Sequence, residues 1–234
     1  MTARSDSPAD RHMSELARRV ELQGKRVLDI GCGRGEMVRR LLRAGADAHG
    51  FEVQQDMLDA AVASGVPAQR LKLGDGSALP WPDASFDLVL FVFSFHHVPL
   101  DSQPRMLAEV ARLLRSAGQV IAIDPRPYGA MSETIKPLED ETHVRTASQA
   151  LLAAPPAPFT CAEQAEYEIV RSYADADALI ASAVAVDPAR KARLAQPGTR
   201  EAVQERFLRL SEPARDGARR LEQPCVLMRL THGS

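Results

Sequence analysis

Val27-Leu28-Asp29-Ile30-Gly31-Cys32-Gly33-Arg34-Gly35 is the stretch on which the fold turns. A short, mostly apolar run leads directly into glycines at every second position. It reads as a buried strand, a tight bend and the start of a helix. Glycine at such a bend lets backbone approach a ligand where a Cβ would collide. Glu36 to Ala44 then sets Met37, Leu41 and Leu42 on one helical face, with Gly45 as a natural stop.

Outward from there, strand-like and helix-like segments alternate. A second strand runs to Phe51-Glu52, and a helix carrying Met57, Leu58 and Ala61 stops at Gly65. Leu71-Lys72-Leu73 reads as a third strand. Phe86 to Phe93 is apolar almost throughout, as expected of a central strand covered on both faces. An amphipathic helix over Arg105 to Arg115 precedes a fifth strand, Val120-Ile121-Ala122-Ile123. This alternation implies right-handed crossovers and an α/β, doubly wound, mainly parallel sheet.

Before the first strand, Ser7-Pro8-Ala9-Asp10 reads as a helix start, giving an N-terminal helix within residues 1–22. Beyond Asp124 the pattern loosens. A helix is expected around Glu141 to Ala153, strands around Glu166 to Ser172 and Cys225 to Leu230, and helices over Ala174 to Ala195 and Glu201 to Leu210. Residues 125–234 are read as the last sheet strands and a helical cover on the acceptor side of one domain spanning 1–234.

The acids give the bend its chemistry. Asp29 lies two residues before the first glycine, where a carboxylate would repel a pyrophosphate but suits a ligand with a cationic amino group and a sulfonium. That charge logic and the Gly31-x-Gly33-x-Gly35 spacing favour S-adenosylmethionine (SAM) over a nicotinamide dinucleotide. Glu52 ends the second strand, placed to accept from ribose hydroxyls. Asp75, in Leu73-Gly74-Asp75-Gly76-Ser77, follows the third. The topology brings all three acids to one sheet edge.

Composition agrees and excludes alternatives. At 234 residues and 45% hydrophobic content the chain is of single-domain size and not disordered. A net charge of −2 gives no electrostatic reason for a nucleic-acid partner. No apolar run approaches the ~20 residues of a membrane span. The N-terminal residues Met1 to Asp6 lack the apolar stretch of a secretory signal. Cys32, Cys161 and Cys225 are scattered and the six histidines show no metal-ligand spacing, so no metal site and a reducing cytoplasm are expected.

These motifs resemble the class I SAM-dependent methyltransferases, especially the small-molecule group that includes quinone-biosynthesis enzymes. The likeness covers about Gly24 to Pro125. It rests on the glycine stretch, on Ala78-Leu79-Pro80-Trp81-Pro82-Asp83-Ala84-Ser85-Phe86-Asp87, and on Ser94-Phe95-His96-His97-Val98 followed by Glu109 to Gln119. Ala117-Gly118 stands where that family often has proline-glycine. The resemblance implies that the Gly31 and Gly33 backbones cradle the methionine part of SAM and that Glu52 holds the ribose; Asp29 and Cys32 are counted with them as cofactor-binding residues. It further implies that Val53 packs on adenine, that Asp75, Gly76 and Ser77 read its edge, and that the Phe93 carbonyl meets the methionine amino group. The expected activity is methyl transfer to an O, N or C atom of a small metabolite. The alternative is a non-catalytic SAM-binding or partner-supporting protein of the same fold.

On the acceptor side the sequence leaves choices open. His96 or His97 is placed to deprotonate an acceptor hydroxyl or amine, or else the pair starts a helix and packs there. Asp124, Arg126 and Tyr128 either flank the acceptor or are turn residues. Phe91, Phe93 and Phe95 supply a dry wall or belong to the core. Cys32 reads as a small filler, with no histidine set beside it. An Asn-Pro-Pro-Tyr-type motif is absent where the chain has Val92-Phe93-Ser94-Phe95, which argues against nucleobase acceptors.

Overall fold

The computed structural model describes residues 7–187 and 189–232. Residues 1–6, on which part of the expected N-terminal helix and the reading of the leader fall, lie outside the described residues. Contacts divide the chain into two compact units. The first comprises residues up to Asp124, Ala147–Ala165 and the chain from Val226 onward; the second comprises Pro125–Thr146 and Glu166–Cys225.

The first unit opens with α1 (Pro8–Ala17), capped reciprocally by Ser7 and Asp10. The helix lies within the N-terminal segment 1–22 and starts at the Ser7-Pro8 cap. There follow β1 (Arg26–Ile30), α2 (Glu36–Arg43), β2 (Asp47–Glu52), α3 (Gln55–Ala63), β3 (Leu71–Leu73), β4 (Phe86–Val92), α4 (Gln103–Leu113) and β5 (Leu114–Pro125). The rest of the chain adds α5 (Ala130–Ile135), α6 (Thr142–Ala153), β6 (Phe159–Tyr173), α7 (Ala176–Val186), α8 (Arg190–Leu194), α9 (Thr199–Leu210), β7 (Glu212–Pro213) and β8 (Arg219–His232). The strands join in the order β3-β2-β1-β4-β5-β8-β6, with β7 against β8. β1 through β5 are parallel, as the alternating pattern requires. β6 is 15 residues long and β8 is 14, each well beyond the segment its apolar pattern suggested.

The core of the first unit includes a cluster built on Leu28, Ile30, Phe51, Phe86, Phe91 and Val120 among others. Phe91 and Phe95 are fully buried there, edge to face at 5.1 Å, so both are core. The second unit has its own core, including Ile135, Leu179, Val203, Phe207 and Leu221. Among the described residues, no helix is long and apolar enough to cross a membrane.

The strand order fixes where a ligand would go. From β1 the chain proceeds outward through β2 and β3, then returns to place β4 on the other side of β1. The crossovers on the two sides diverge, leaving a crevice at the carboxyl ends of β1 and β4. Register brings Ile30, Glu52 and Leu73 to that same edge, through Ile30↔Phe51 and Glu52↔Leu73.

Candidate functional site

The bend after β1 is built from left-handed backbone. Gly31 has φ +73° because its N–H donates to the Phe51 carbonyl at 2.8 Å, beside the Cys32 N–H at 3.0 Å. A Cβ on Gly31 would stand 2.5 Å from Ser94 Cβ, so only glycine allows this approach of β1 to the end of β4. Gly33 has φ +51° and differs: nothing lies within 4 Å of an added Cβ. The first glycine closes a protein–protein contact, and the second opens onto free space.

Glu52 stabilises this bend directly. Its Oε2 accepts from the Gly33 N–H at 2.8 Å, and its Oε1 accepts from the N–H groups of Val53 (2.8 Å) and Gln54 (3.2 Å). A buried carboxylate is tolerable here because backbone donors surround it. Oε1 is filled by its two donors and Oε2 retains one lone pair, so acceptance from a ribose hydroxyl is compatible with this geometry.

Asp29 is held differently. It is 2% exposed, and its Oδ1 is buried with no hydrogen-bond partner among the described residues. Burial, and then the neighbouring negative charge of Glu52, push its pKa up to about 7. A buried, unsatisfied acceptor next to a second carboxylate favours a cationic donor more than any other group. The arrangement therefore fits an ammonium-bearing ligand. Cys32 is buried, and burial, followed by the charges of Asp29 and Glu52, pushes its thiol pKa up, which makes it an inert space-filler.

The remaining predicted residues sit along the same edge. Val53, directly after β2, is 58% exposed, an apolar surface at the site's mouth. Asp75 is exposed and two residues past β3; hydrogen bonding from the Ser77 side chain, and then from the Ser77 N–H (2.8 Å to Oδ1), holds its pKa below the usual range, in a turn through Gly76 (φ +79°). Asp75 shares the edge with Glu52 but is not packed against it as Asp29 is. Phe93 follows β4 at φ +57°, an uncommon conformation for a bulky residue, and its N–H donates to the Ile123 carbonyl at 2.7 Å. Such outliers gather at ligand sites.

His96 and His97 lie on a single 3₁₀ turn (Phe95–His97). His97 is exposed. His96 is buried, and its Nδ1 lies 2.7 Å from Asp124 Oδ1. The reading of Asp124 as a residue after the fifth strand is corrected: β5 runs to Pro125 and Asp124 is buried within it. No local pattern marks this pairing, because the partners stand on different strand ends. The turn is clamped by Gln103, whose Nε2 donates to Val98 O (3.0 Å), Phe95 O (3.4 Å) and Ser148 Oγ (2.7 Å). Sequence reading passed over Gln103; its position in the first turn of α4 was the only signal. In the second unit, Arg126 stacks over the Tyr128 ring at 5.4 Å and pairs with Glu166 at 3.1 Å, so these two residues interlock with β6.

Comparison with known proteins agrees with this geometry. Residues 27–118 match the family model described as a methyltransferase domain. The chain is 36% identical over 135 residues to the phthiotriol/phenolphthiotriol dimycocerosates methyltransferase 1 of Mycobacterium ulcerans, covering 55% of this chain and 49% of that one. It is 34% identical over 127 residues to the fatty-acid O-methyltransferase of Mycolicibacterium smegmatis, covering 53% and 46%. The chain thus spans about half the length of these curated relatives. Among solved structures, the YcgJ protein from Bacillus subtilis superposes with a TM-score of 0.61 at 20% identity, over 96% of this chain and 99% of that one. The last likeness bears on the fold, which is the Rossmann-like methyltransferase fold.

Proposed function

We propose, for a chain whose residues 27–118 match the methyltransferase-domain family model, that it is a SAM-dependent methyltransferase acting on an O, N or C atom of a small metabolite. The observation that carries this reading is the buried Asp29 carboxyl, with an unsatisfied oxygen, beside Glu52 at a glycine bend. The relatives named as methyltransferases support it. Asp29 with Gly31, Cys32 and Gly33 would hold the methionine part and Glu52 the ribose. Val53 would lie against adenine, Asp75, Gly76 and Ser77 along its edge, and the Phe93 carbonyl would take the amino group. When bound, SAM supplies a methyl group already activated on a sulfonium.

The protein's own work is then alignment and proton handling. Well-oriented reactants gain about 7–11 kcal/mol from positioning alone. His96 is assigned as the base toward a protic acceptor. Asp124, 2.7 Å from Nδ1, orients the ring, and the tautomer inferred from that partner carries its proton on Nδ1. His97, exposed on the same turn, is the weaker candidate. The fatty-acid O-methyltransferase among the relatives supports oxygen as the first acceptor atom to try. Residues 125–234 are proposed as the acceptor-side cover, supported by the end of the family match at 118. Three free cysteines support a reducing, cytoplasmic setting.

Calorimetric titration tests this reading. Saturable binding of SAM, weakened by Glu52→Ala, is expected; binding of NADH with none of SAM would overturn it. A screen of hydroxylated and carboxylated acceptors then identifies the reaction, and a SAM binder silent across that screen would favour the non-catalytic alternative.

A further inference from the structure

None of the nucleotide-site motifs lies in α1, yet α1 reaches the same strand ends. Its buried positions, Ala9, His12, Glu15 and Leu16, recur at helical spacing and define one inward face. At the front of the helix, Arg40 of α2 bonds Asp10 and donates to Ser7 Oγ at 3.0 Å. At the rear, the buried Glu15 takes Arg11 (3.0 Å), Arg18 (2.9 Å) and Arg19 (2.8 Å), and Arg19 also pairs with Glu163 of β6 at 2.8 Å. The helix is therefore bolted at both ends.

Between the bolts stands His12, 4% exposed, its ring edge-on to Phe93 at 5.1 Å. Phe93 is the left-handed residue after β4, and the next residue, Ser94, donates to Ile30 O at 2.5 Å and fills the space beside Gly31. One chain of contacts thus runs from α1 through Phe93 and Ser94 to the glycine bend. Backbone held in a sparsely populated conformation persists only where its surroundings fix it, and His12 is part of those surroundings.

We infer that α1 is a wall of the donor site and that His12 is a positioning residue, acting through Phe93 on the amino-acid end of the bound donor. This deepens the proposed function and rests on it.

The test compares S-adenosylhomocysteine with 5′-methylthioadenosine, which keeps the nucleoside and thioether but lacks the amino-acid end. In His12→Ala and Arg40→Ala, dissociation of S-adenosylhomocysteine should be faster by about tenfold or more, with methylthioadenosine affinity unchanged within about twofold. His12→Phe should restore retention, since an aromatic edge is what Phe93 meets. Hydrogen exchange gives a second readout: S-adenosylhomocysteine should slow the α1 amides of the wild-type protein, and methylthioadenosine should not. Equal losses for both ligands, unchanged dissociation, or α1 amides indifferent to S-adenosylhomocysteine would each overturn the inference while leaving the SAM reading intact. A wild-type protein that binds neither ligand overturns both.

Discussion

Nδ1 of His96 stands 2.7 Å from Oδ1 of Asp124, with both side chains 2% exposed. The pair joins the turn after β4 to the end of β5. A carboxylate in that position fixes the ring and supports a positive charge on it when the other nitrogen takes a proton.

Replacing either partner should therefore impair turnover without impairing cofactor binding. His96→Ala is expected to lower kcat by about 10²–10⁴ for a protic acceptor. Asp124→Asn keeps the shape and should lower kcat by a smaller factor. Affinity for S-adenosylhomocysteine, measured by calorimetry, should be unchanged in both. A loss of cofactor affinity equal to the loss in kcat would show that the pair only holds the fold together.

Asp29 predicts a pH dependence. Its pKa near 7 lies above the ordinary carboxylate value of 3.8. A cationic ligand prefers the ionised form, so affinity for SAM should rise by about tenfold per pH unit as pH increases toward 7, then level off. Asp29→Asn should bind weakly and show no such rise. Calorimetry between pH 5.5 and 8 reads both.

The same residue weakens the ligand-free protein. Because folding raises its pKa, the stability Asp29 contributes is complete below pH 3.8 and is lost as pH climbs through about 7. Asp29→Asn should then be more stable than the wild-type protein at pH 8, by on the order of a few kcal/mol, with the difference shrinking toward pH 4. Urea titrations at the two pH values measure it.

Two glycines should separate folding from binding. Gly31→Ala drives a Cβ to 2.5 Å from Ser94 Cβ and should cost about 1–3 kcal/mol of stability from overpacking alone. Gly33→Ala meets nothing and should cost only the left-handed penalty of about 1–2 kcal/mol. Yet Gly33→Ala should weaken SAM binding at least as strongly as Glu52→Ala, because its methyl group enters the open space over the bend. Thermal melts beside binding isotherms distinguish the two effects.

Glu52→Ala removes the acceptor for three backbone N–H groups, those of Gly33, Val53 and Gln54. At about 1 kcal/mol per hydrogen bond, a measurable drop in Tm should accompany the lost affinity. Glu52→Gln, which keeps an amide oxygen for part of this set, should recover stability more than affinity.

β1 and β4 were legible in the sequence as short, mostly apolar runs punctuated by turn residues, because that pattern depends on local burial alone. The glycine bend was legible for a similar reason: left-handed backbone selects glycine wherever it occurs. Segments beyond Asp124 were read less well. β6 alternates exposed with less exposed residues along its whole length, but its less exposed positions include Glu163 and Arg171, so apolar residues mark only part of it; before Asp124, β5 begins at Leu114, within the segment read as the end of a helix and its glycine stop. Pairing to neighbouring strands, which no local pattern encodes, set those boundaries.

The chain's own order of residues settled the sheet type and the edge on which Asp29, Glu52 and Asp75 lie, since these follow from periodicity and where strands end. Tertiary structure alone decided that Asp29 keeps an unsatisfied oxygen while Glu52 does not, that His96 faces Asp124, and that His12 meets Phe93. Each of these depends on the distance between groups far apart along the chain, and that distance exists only once the sheet has brought its strand ends together.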